Sequence, residues 1–342
     1  MSETKVRNCS IDIFRYICAI MVVAIHTHPL SDINAQLGYI LVQIIPRVGV
    51  PFFFATAGYF YIQKLEKGKA PFFKSFKRLL ITYIIWTCLY YLIDFVRWGY
   101  SNPKYFGVTG LFNFFIAGSH YHFWFFPAII FAVCCTTLIF KIRLSKCLIP
   151  LSIILYSVGC FGCSYYELGV NIPFLEKLYT FSQFDLIRRV LMMGFPFFVC
   201  GYFVHKIKDK VFNRVSTKKL LLIWCVTIAV WLIEIYIVWT FNWQTNIIIT
   251  FGLYLLVVVT LLVLLKIPLP QYESLSSKTK FLANFTYYSH PFLIEGLDYI
   301  TNNYIQLKLT ETPMFILVIL LTCLWGLIIY KLDNKWLNRI VN

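Results

Sequence analysis

Residues 11–28 read IDIFRYICAIMVVAIHTH, a run whose only acidic, basic or imidazole side chains are Asp12, Arg15, His26 and His28. At 1.5 Å per residue such a helix covers most of a bilayer's hydrocarbon core. A charged group at that depth costs several kcal/mol and as a rule faces protein or water rather than lipid. Arg15 and His26 lie eleven residues apart, and eleven steps of 100° end about 20° past three full turns. Both therefore point to one face of the helix, about 16 Å apart. Asp12, three residues before Arg15, is placed to pair with it. A plainer reading has Arg15 snorkelling to the headgroups while His26 caps the helix end.

The rest of the chain is equally apolar. Of its 342 residues 59% are hydrophobic and 13% charged, and its mean hydropathy is +0.72. About a quarter of an average soluble domain is charged, so a water-soluble fold is excluded. Ten spans are predicted at 11–28, 38–62, 76–97, 120–140, 145–163, 186–205, 219–240, 246–266, 281–303 and 313–332. The fold class is all-α integral membrane, one domain over residues 1–342 without a linker or internal repeat. The apolar start carries Asp12 and Arg15 and has no small-residue cleavage site, so it does not read as a cleavable signal peptide.

The net charge of +16 would suggest nucleic acid in a soluble protein. Here it reads as topology. An inside N-terminus puts 23 of the 31 Lys and Arg in cytoplasmic segments and six outside, with Arg15 and Arg47 within spans. That asymmetry predicts both termini in the cytoplasm, no nucleic-acid partner, and a bilayer as the immediate environment. Most of the eleven cysteines lie in apolar runs, where a thiol behaves as a small hydrophobe. Only Cys160 and Cys163 are spaced to pair.

The ionisable residues within spans are Asp12, Arg15, His26, Arg47, Asp94, Glu234, His290, Glu295 and Asp298. Arg47 sits in IIPRVGVPFFFATAGYF between Pro46 and Pro51, with Gly49 and Gly58 nearby. That composition predicts a kinked or broken helix, tolerable only where it lines a cavity or packs on protein. Arg47 then faces a site or pairs with an acid such as Glu234. Lys74, Lys77 and Arg78 cluster at a helix start and suit a polyanion such as a nucleotide pyrophosphate, unless they are ordinary positive-inside charges. In SHYHFWFFP, His120 and His122 are two residues apart and so point to different faces of a helix. This spacing gives no metal site by itself. In YYSHPFLIEGLDY, His290 precedes Pro291, and Glu295 and Asp298 share a face. The sequence has no phosphate-binding loop, zinc-protease, dinucleotide or nucleophile-elbow motif.

Four of these segments, taken in order, resemble the acyltransferase-3 family of bacterial membrane proteins. They are DIFRYICAIMVVAIHTHPL (12–30), with its arginine, ten residues and histidine, VGVPFFFATAGYF (48–60), HFWFFPAII (122–130) and YYSHPFL (287–293). The family's usual serine before the glycine of the second segment is Ala57 here. The combination also resembles the membrane half of the vancomycin-resistance serine racemases of the VanT type.

The resemblance implies a ten-helix acyltransferase-3-like bundle in the bacterial cytoplasmic membrane. It would move an acyl group from cytoplasmic acyl-CoA, acetyl-CoA in particular, to a small-molecule or cell-wall-related acceptor reached from outside. His26 would be general base or transient acyl carrier, and Arg15 would line the route of the thioester. Lys74, Lys77 and Arg78 would hold CoA phosphates, and Arg47 or His122 would stabilise the oxyanion. Trp124, Glu234, His290 and Glu295 complete the expected substrate site, with no metal. The alternative is an L-serine uptake or binding module, with Arg47 on the carboxylate and Glu234 or Glu295 on the ammonium. It would feed a pyridoxal-phosphate racemase domain beyond Asn342, through which the protein would form a homodimer.

Overall fold

Asn8, in an extended conformation, accepts the Ile11 N–H on its side chain and so starts helix α1 (Cys9–Thr27). This is the ordinary capping geometry that satisfies an otherwise orphaned donor. The helix ends at His28, which turns left-handed (φ 54°) and gives its N–H to Ala24 O at 3.0 Å. The computed structural model describes residues 8–68, 71–98, 107–267, 269, 273–334 and 341. Among the described residues all regular structure is helical.

The chain continues through α2 (Ala35–Tyr39), a π turn at Ile40–Ile44, a 3₁₀ turn at Ile45–Val48, α3 (Gly49–Glu66) and α4 (Phe72–Trp98). After α5 (Gly107–Phe112) and a π turn come α6 (Phe125–Lys141) and α7 (Leu148–Phe161). Residues 163–185, between the predicted spans 145–163 and 186–205, fold into α8 (Tyr166–Gly169), α9 (Pro173–Tyr179) and the start of α10 (Phe184–Ile187). Tyr179, Phe184 and Met192 bury together there. A π turn at Arg188–Gly194 leads to α11 (Phe195–Arg214), then α12 (Thr217–Thr240), α13 (Phe251–Lys266), α14 (Glu273–Ile300) and α15 (Glu311–Lys331).

Among the described residues six helical segments are long and apolar enough to cross a membrane: Cys9–Thr27, Ala35–Glu66, Phe72–Phe95, Phe184–Arg214, Thr217–Thr240 and Glu311–Lys331. Shorter apolar helices occupy Val108–Ala117, Phe125–Lys141, Ser145–Phe161 and Phe251–Lys266. Helix α14 is long but mixes polar and apolar residues. The chain is a multi-pass membrane protein in contact with lipid. Lys5, Arg7, Lys69, Lys104, Lys335 and Arg339, all counted for the charge asymmetry, lie outside the described residues, as does the side chain of Arg97.

The chain forms two compact units, Met1–Phe53 with Leu261–Asn342, and Phe54–Thr260. In the first, α1 packs along α14, which packs on α15. Val23, Met314 and Val318 form its apolar centre. The orphan carbonyls at the end of α13 are met by the start of α1: Asn8 donates to Leu264 O at 3.3 Å and Ser10 to Ile267 O at 2.8 Å.

In the second unit, α3 and α11 approach backbone to backbone. A Cβ at Gly58 would overlap the Phe198 carbonyl, and one at Gly201 would overlap the backbone of Ala55 and Tyr59. Small residues at a crossing are what allow helices in lipid such closeness.

Candidate functional site

The face shared by Arg15 and His26 is the one α1 turns toward α14. Arg15 donates to the Asn284 side-chain oxygen at 3.0 Å, and its guanidinium lies 5.5 Å from the centre of the Phe53 ring. Three turns further along, the His26 ring stacks on His290, with centroids 5.3 Å apart and planes inclined by 25°. His290 is fully buried. Its Nδ1 lies 3.0 Å from Thr286 O; a carbonyl only accepts, so Nδ1 carries the proton and the ring orientation is fixed. The histidine before Pro291 is therefore the platform under His26. Helix α14 runs through that proline without ending. Asp12 accepts the Ser276 hydroxyl at 2.5 Å, a further α1–α14 link.

His26 also reaches a cavity of ≈ 300 Å³ at the end of α1. Its polar wall comes from His26, Thr27, His28, Ser31, Asp298, Thr310 and Glu311, and its apolar floor from Ile294, Leu309 and Met314. Of the carboxylates expected on α14, Asp298 lines this space. Glu295 is not among the lining residues, and the second acid is Glu311 at the start of α15. Loop 28–34 closes one side. Asp32 holds Thr312 by both oxygens, accepting its hydroxyl at 2.5 Å and its N–H at 3.1 Å. That hydroxyl also accepts the Leu30 N–H at 2.8 Å. The hydrogen bond from Thr312 holds the Asp32 carboxyl below its ordinary pKa. Two non-glycine residues in the loop, His28 and Leu30, have left-handed backbones (φ 54° and 64°), a conformation that persists only where surrounding structure enforces it.

Arg47 sits in the first unit at the predicted break. The α2 helix loosens into the π turn and tightens into the 3₁₀ turn before α3. Arg47 Nε donates to the Gln43 backbone carbonyl at 3.2 Å, and its guanidinium also meets the Gln43 side chain. It thus satisfies a carbonyl in the irregular stretch.

The second unit holds the other residues singled out in the sequence. His120 and His122 lie in a turn before α6, not on a helix, because Gly118 (φ 94°) bends the chain just ahead of them. The expectation that they diverge is corrected: their Nδ1 atoms face each other at 3.1 Å, and both are buried. One ring must donate and the other accept. The turn is anchored by Ser119, whose N–H donates to the Tyr83 phenol at 2.9 Å. No cluster able to hold a metal ion occurs among the described residues. Trp124 lies under Arg189, 5.9 Å from its guanidinium.

Glu234 caps α13. It accepts the N–H groups of Phe251 and Gly252 at 2.7 and 2.6 Å and the Tyr165 phenol at 2.5 Å. Burial and that carboxylate raise the Tyr165 pKa well above normal. Lys74, Lys77 and Arg78 are exposed on the first turns of α4, a helix end whose dipole favours anions. Cys163 donates to Asn246 at 2.9 Å, and neither Cys160 nor Cys163 is in a disulfide.

Residues 8–331 match the family model described as an acyltransferase domain. The chain belongs to the acyltransferase-3 family. The acyltransferase-3 chain is also similar to two amino-acid racemases of Enterococcus faecalis. One is 33% identical over 215 residues, 60% of this chain and 30% of the relative. The other is 32% identical over 197 residues, 57% of this chain and 27% of the relative. A serine/alanine racemase of Enterococcus gallinarum is 31% identical over 215 residues, 60% of this chain and 30% of the relative. The chain thus spans less than a third of the length of these relatives. No solved structure matches it.

Proposed function

We propose that this chain transfers an acyl group from a cytoplasmic acyl-CoA, acetyl-CoA in the first instance, to a hydroxyl-bearing acceptor, with His26 as general base. The observation that carries the reading is the His26 ring, stacked on the buried His290 and lining a 300 Å³ cavity.

The chemistry is redox-neutral. The acceptor hydroxyl gives its proton to the His26 imidazole, and its oxygen bonds to the thioester carbonyl carbon. The C–S bond then breaks, and the departing sulfur takes the proton back to leave an ester and a free thiol. Stacking on His290 fixes the plane of the base, which keeps its nitrogen directed at the bound hydroxyl. Arg15, halfway down the same face, lies along the route of the thioester. In this proposal Lys74, Lys77 and Arg78 serve the CoA phosphates, Trp124 belongs to the substrate residues, and Arg47 or His122 offsets oxyanion charge. The test is acetyl-CoA consumption by the purified protein, wild type against His26→Ala.

The reading places ten spans in one domain of the bacterial cytoplasmic membrane. They comprise the six long apolar segments with α6, α7, α13 and α14. An even number with the observed charge asymmetry puts both termini inside. Reporter fusions that are active only outside should be silent at residues 68, 144, 216 and 334 and active at 32, 171 and 308. The opposite pattern overturns the topology.

A second reading is favoured by the racemase relatives: the chain brings L-serine to a racemase domain of the same polypeptide, in a setting of vancomycin resistance and cell-wall synthesis. Pyridoxal phosphate would belong to that domain, which would also supply a dimer contact. Labelled L-serine uptake into proteoliposomes discriminates. Uptake above empty vesicles that survives His26→Ala supports this reading, and no uptake removes it.

A further inference from the structure

On α4, Tyr83, Thr87 and Tyr90 follow one another at spacings of four and three residues and so share one face of the helix. All three are buried, and that face carries the turn before α6. Ser119 donates its N–H to the Tyr83 phenol at 2.9 Å and shares a hydroxyl hydrogen bond with Thr87 at 2.6 Å. The phenol in turn donates to Phe114 O at 2.6 Å. Within the turn the Phe123 N–H closes on His120 O at 2.8 Å, and a Cβ at Gly118 would come within 2.4 Å of Trp124 N. The Tyr90 ring lies against both histidines, with centroids 4.5 Å from His120 and 5.4 Å from His122. Helix and turn together hold two buried imidazoles so that Nδ1 faces Nδ1 at 3.1 Å.

Two neutral imidazoles can meet through these atoms in two ways, because each carries one N–H and one lone pair. With the proton on His122 Nδ1, the Nε2 of His122 bears a lone pair and can only accept. With the proton on His120 Nδ1, His122 accepts at Nδ1 and keeps its own proton on Nε2, where it can donate. The bond made by one ring nitrogen thus sets the polarity of the other. A group that steadies a developing oxyanion has to donate. Resting on the reading in which His122 offsets oxyanion charge, we infer that His120 is a positioning residue for acyl transfer, its Nδ1–H fixing His122 as the Nε2–H tautomer. His120 does this without touching the substrate.

Nitrogen-15 spectra of the purified full chain in nanodiscs, labelled at its six histidines, read the tautomers directly. The coupled pair is found in the wild type, and loss of signals in either His120→Phe or His122→Phe tells the two rings apart. Expected are a coupling between two Nδ1 nuclei across the hydrogen bond, a protonated Nδ1 on His120, and on His122 a bare Nδ1 with a protonated Nε2. A protonated Nδ1 on His122, or no coupling, overturns the inference. Acetyl-CoA consumption is the second readout. His120→Phe keeps a ring against Tyr90 and removes the donor; it should lower kcat about 10- to 10³-fold, the upper end being the loss of one oxyanion donor, and leave KM for acetyl-CoA unchanged. His120→Asn offers an amide N–H in place of Nδ1–H and should restore most of that loss. Equal losses in the two variants make His120 merely structural and overturn the positioning role. His122→Phe separates the claims. If it leaves turnover unchanged while the spectra are as expected, the oxyanion reading of His122 falls and the tautomer assignment stands. If it lowers turnover and His120→Phe does not, that reading stands and the positioning role falls.

Discussion

Replacing His26 by alanine is expected to lower acetyl-CoA consumption by the purified protein about 10²- to 10⁴-fold, the range supplied by a positioned general base. Without the imidazole the acceptor must attack as a neutral alcohol, which is a poor nucleophile toward a thioester. The substitution should leave the fold intact. His26 is half-buried, and the helix around it is held by Asn8, Ser10, Asp12 and Arg15 through bonds that do not involve it. Acceptor affinity should change far less than turnover, because the polar cavity wall survives. His290→Ala is informative beside it. If His290 only orients the base, its loss reduces kcat while the pH dependence set by His26 persists. Equal rates for wild type and His26→Ala would remove the histidine from the chemistry.

The second large effect is on folding. Valine at Gly58 or Gly201 places side-chain carbons where the partner helix has backbone. Overpacking of side chains in a core costs about 1–3 kcal/mol, and backbone gives way less readily. Against a typical total stability of about 5–15 kcal/mol, either substitution should remove most of the monodisperse protein seen by fluorescence-detected size exclusion. Gly296→Ala is the matching control. A Cβ there has no non-neighbouring atom within 4 Å, and alanine is the better helix former. Its elution profile should match the wild type, and an unaffected Gly58→Val would show that α3 and α11 are not held at that distance.

Local periodicity made part of the site legible. The eleven-residue spacing of Arg15 and His26 places them on one face, and both meet α14. Two prolines and two glycines around Arg47 announced the broken helix, because proline's missing N–H and fixed φ act within a few residues. The partners were not legible in the same way. Glu311 and Thr310 come from the start of α15, and nothing in their local pattern says that this end faces His26. Glu234 reads as a buried charge awaiting a ligand until α13 is seen to begin beside it. His120 and His122 diverge only on a helix, and it was Gly118 that put them in a turn. In each case the deciding contact is between segments far apart in sequence.

That separation bears on how the protein is made. Arg15 bonds to a residue 269 positions later, and the Asp32–Thr312 clasp joins residues 280 apart. At roughly 5–20 residues per second of synthesis, α1 waits on the order of 15–50 s before α14 and α15 emerge. During that interval its arginine and histidine have none of their final neighbours on α14. Helix α1 thus meets α14 and α15 long after it has been made, and the pocket around its histidine closes only as α15 arrives.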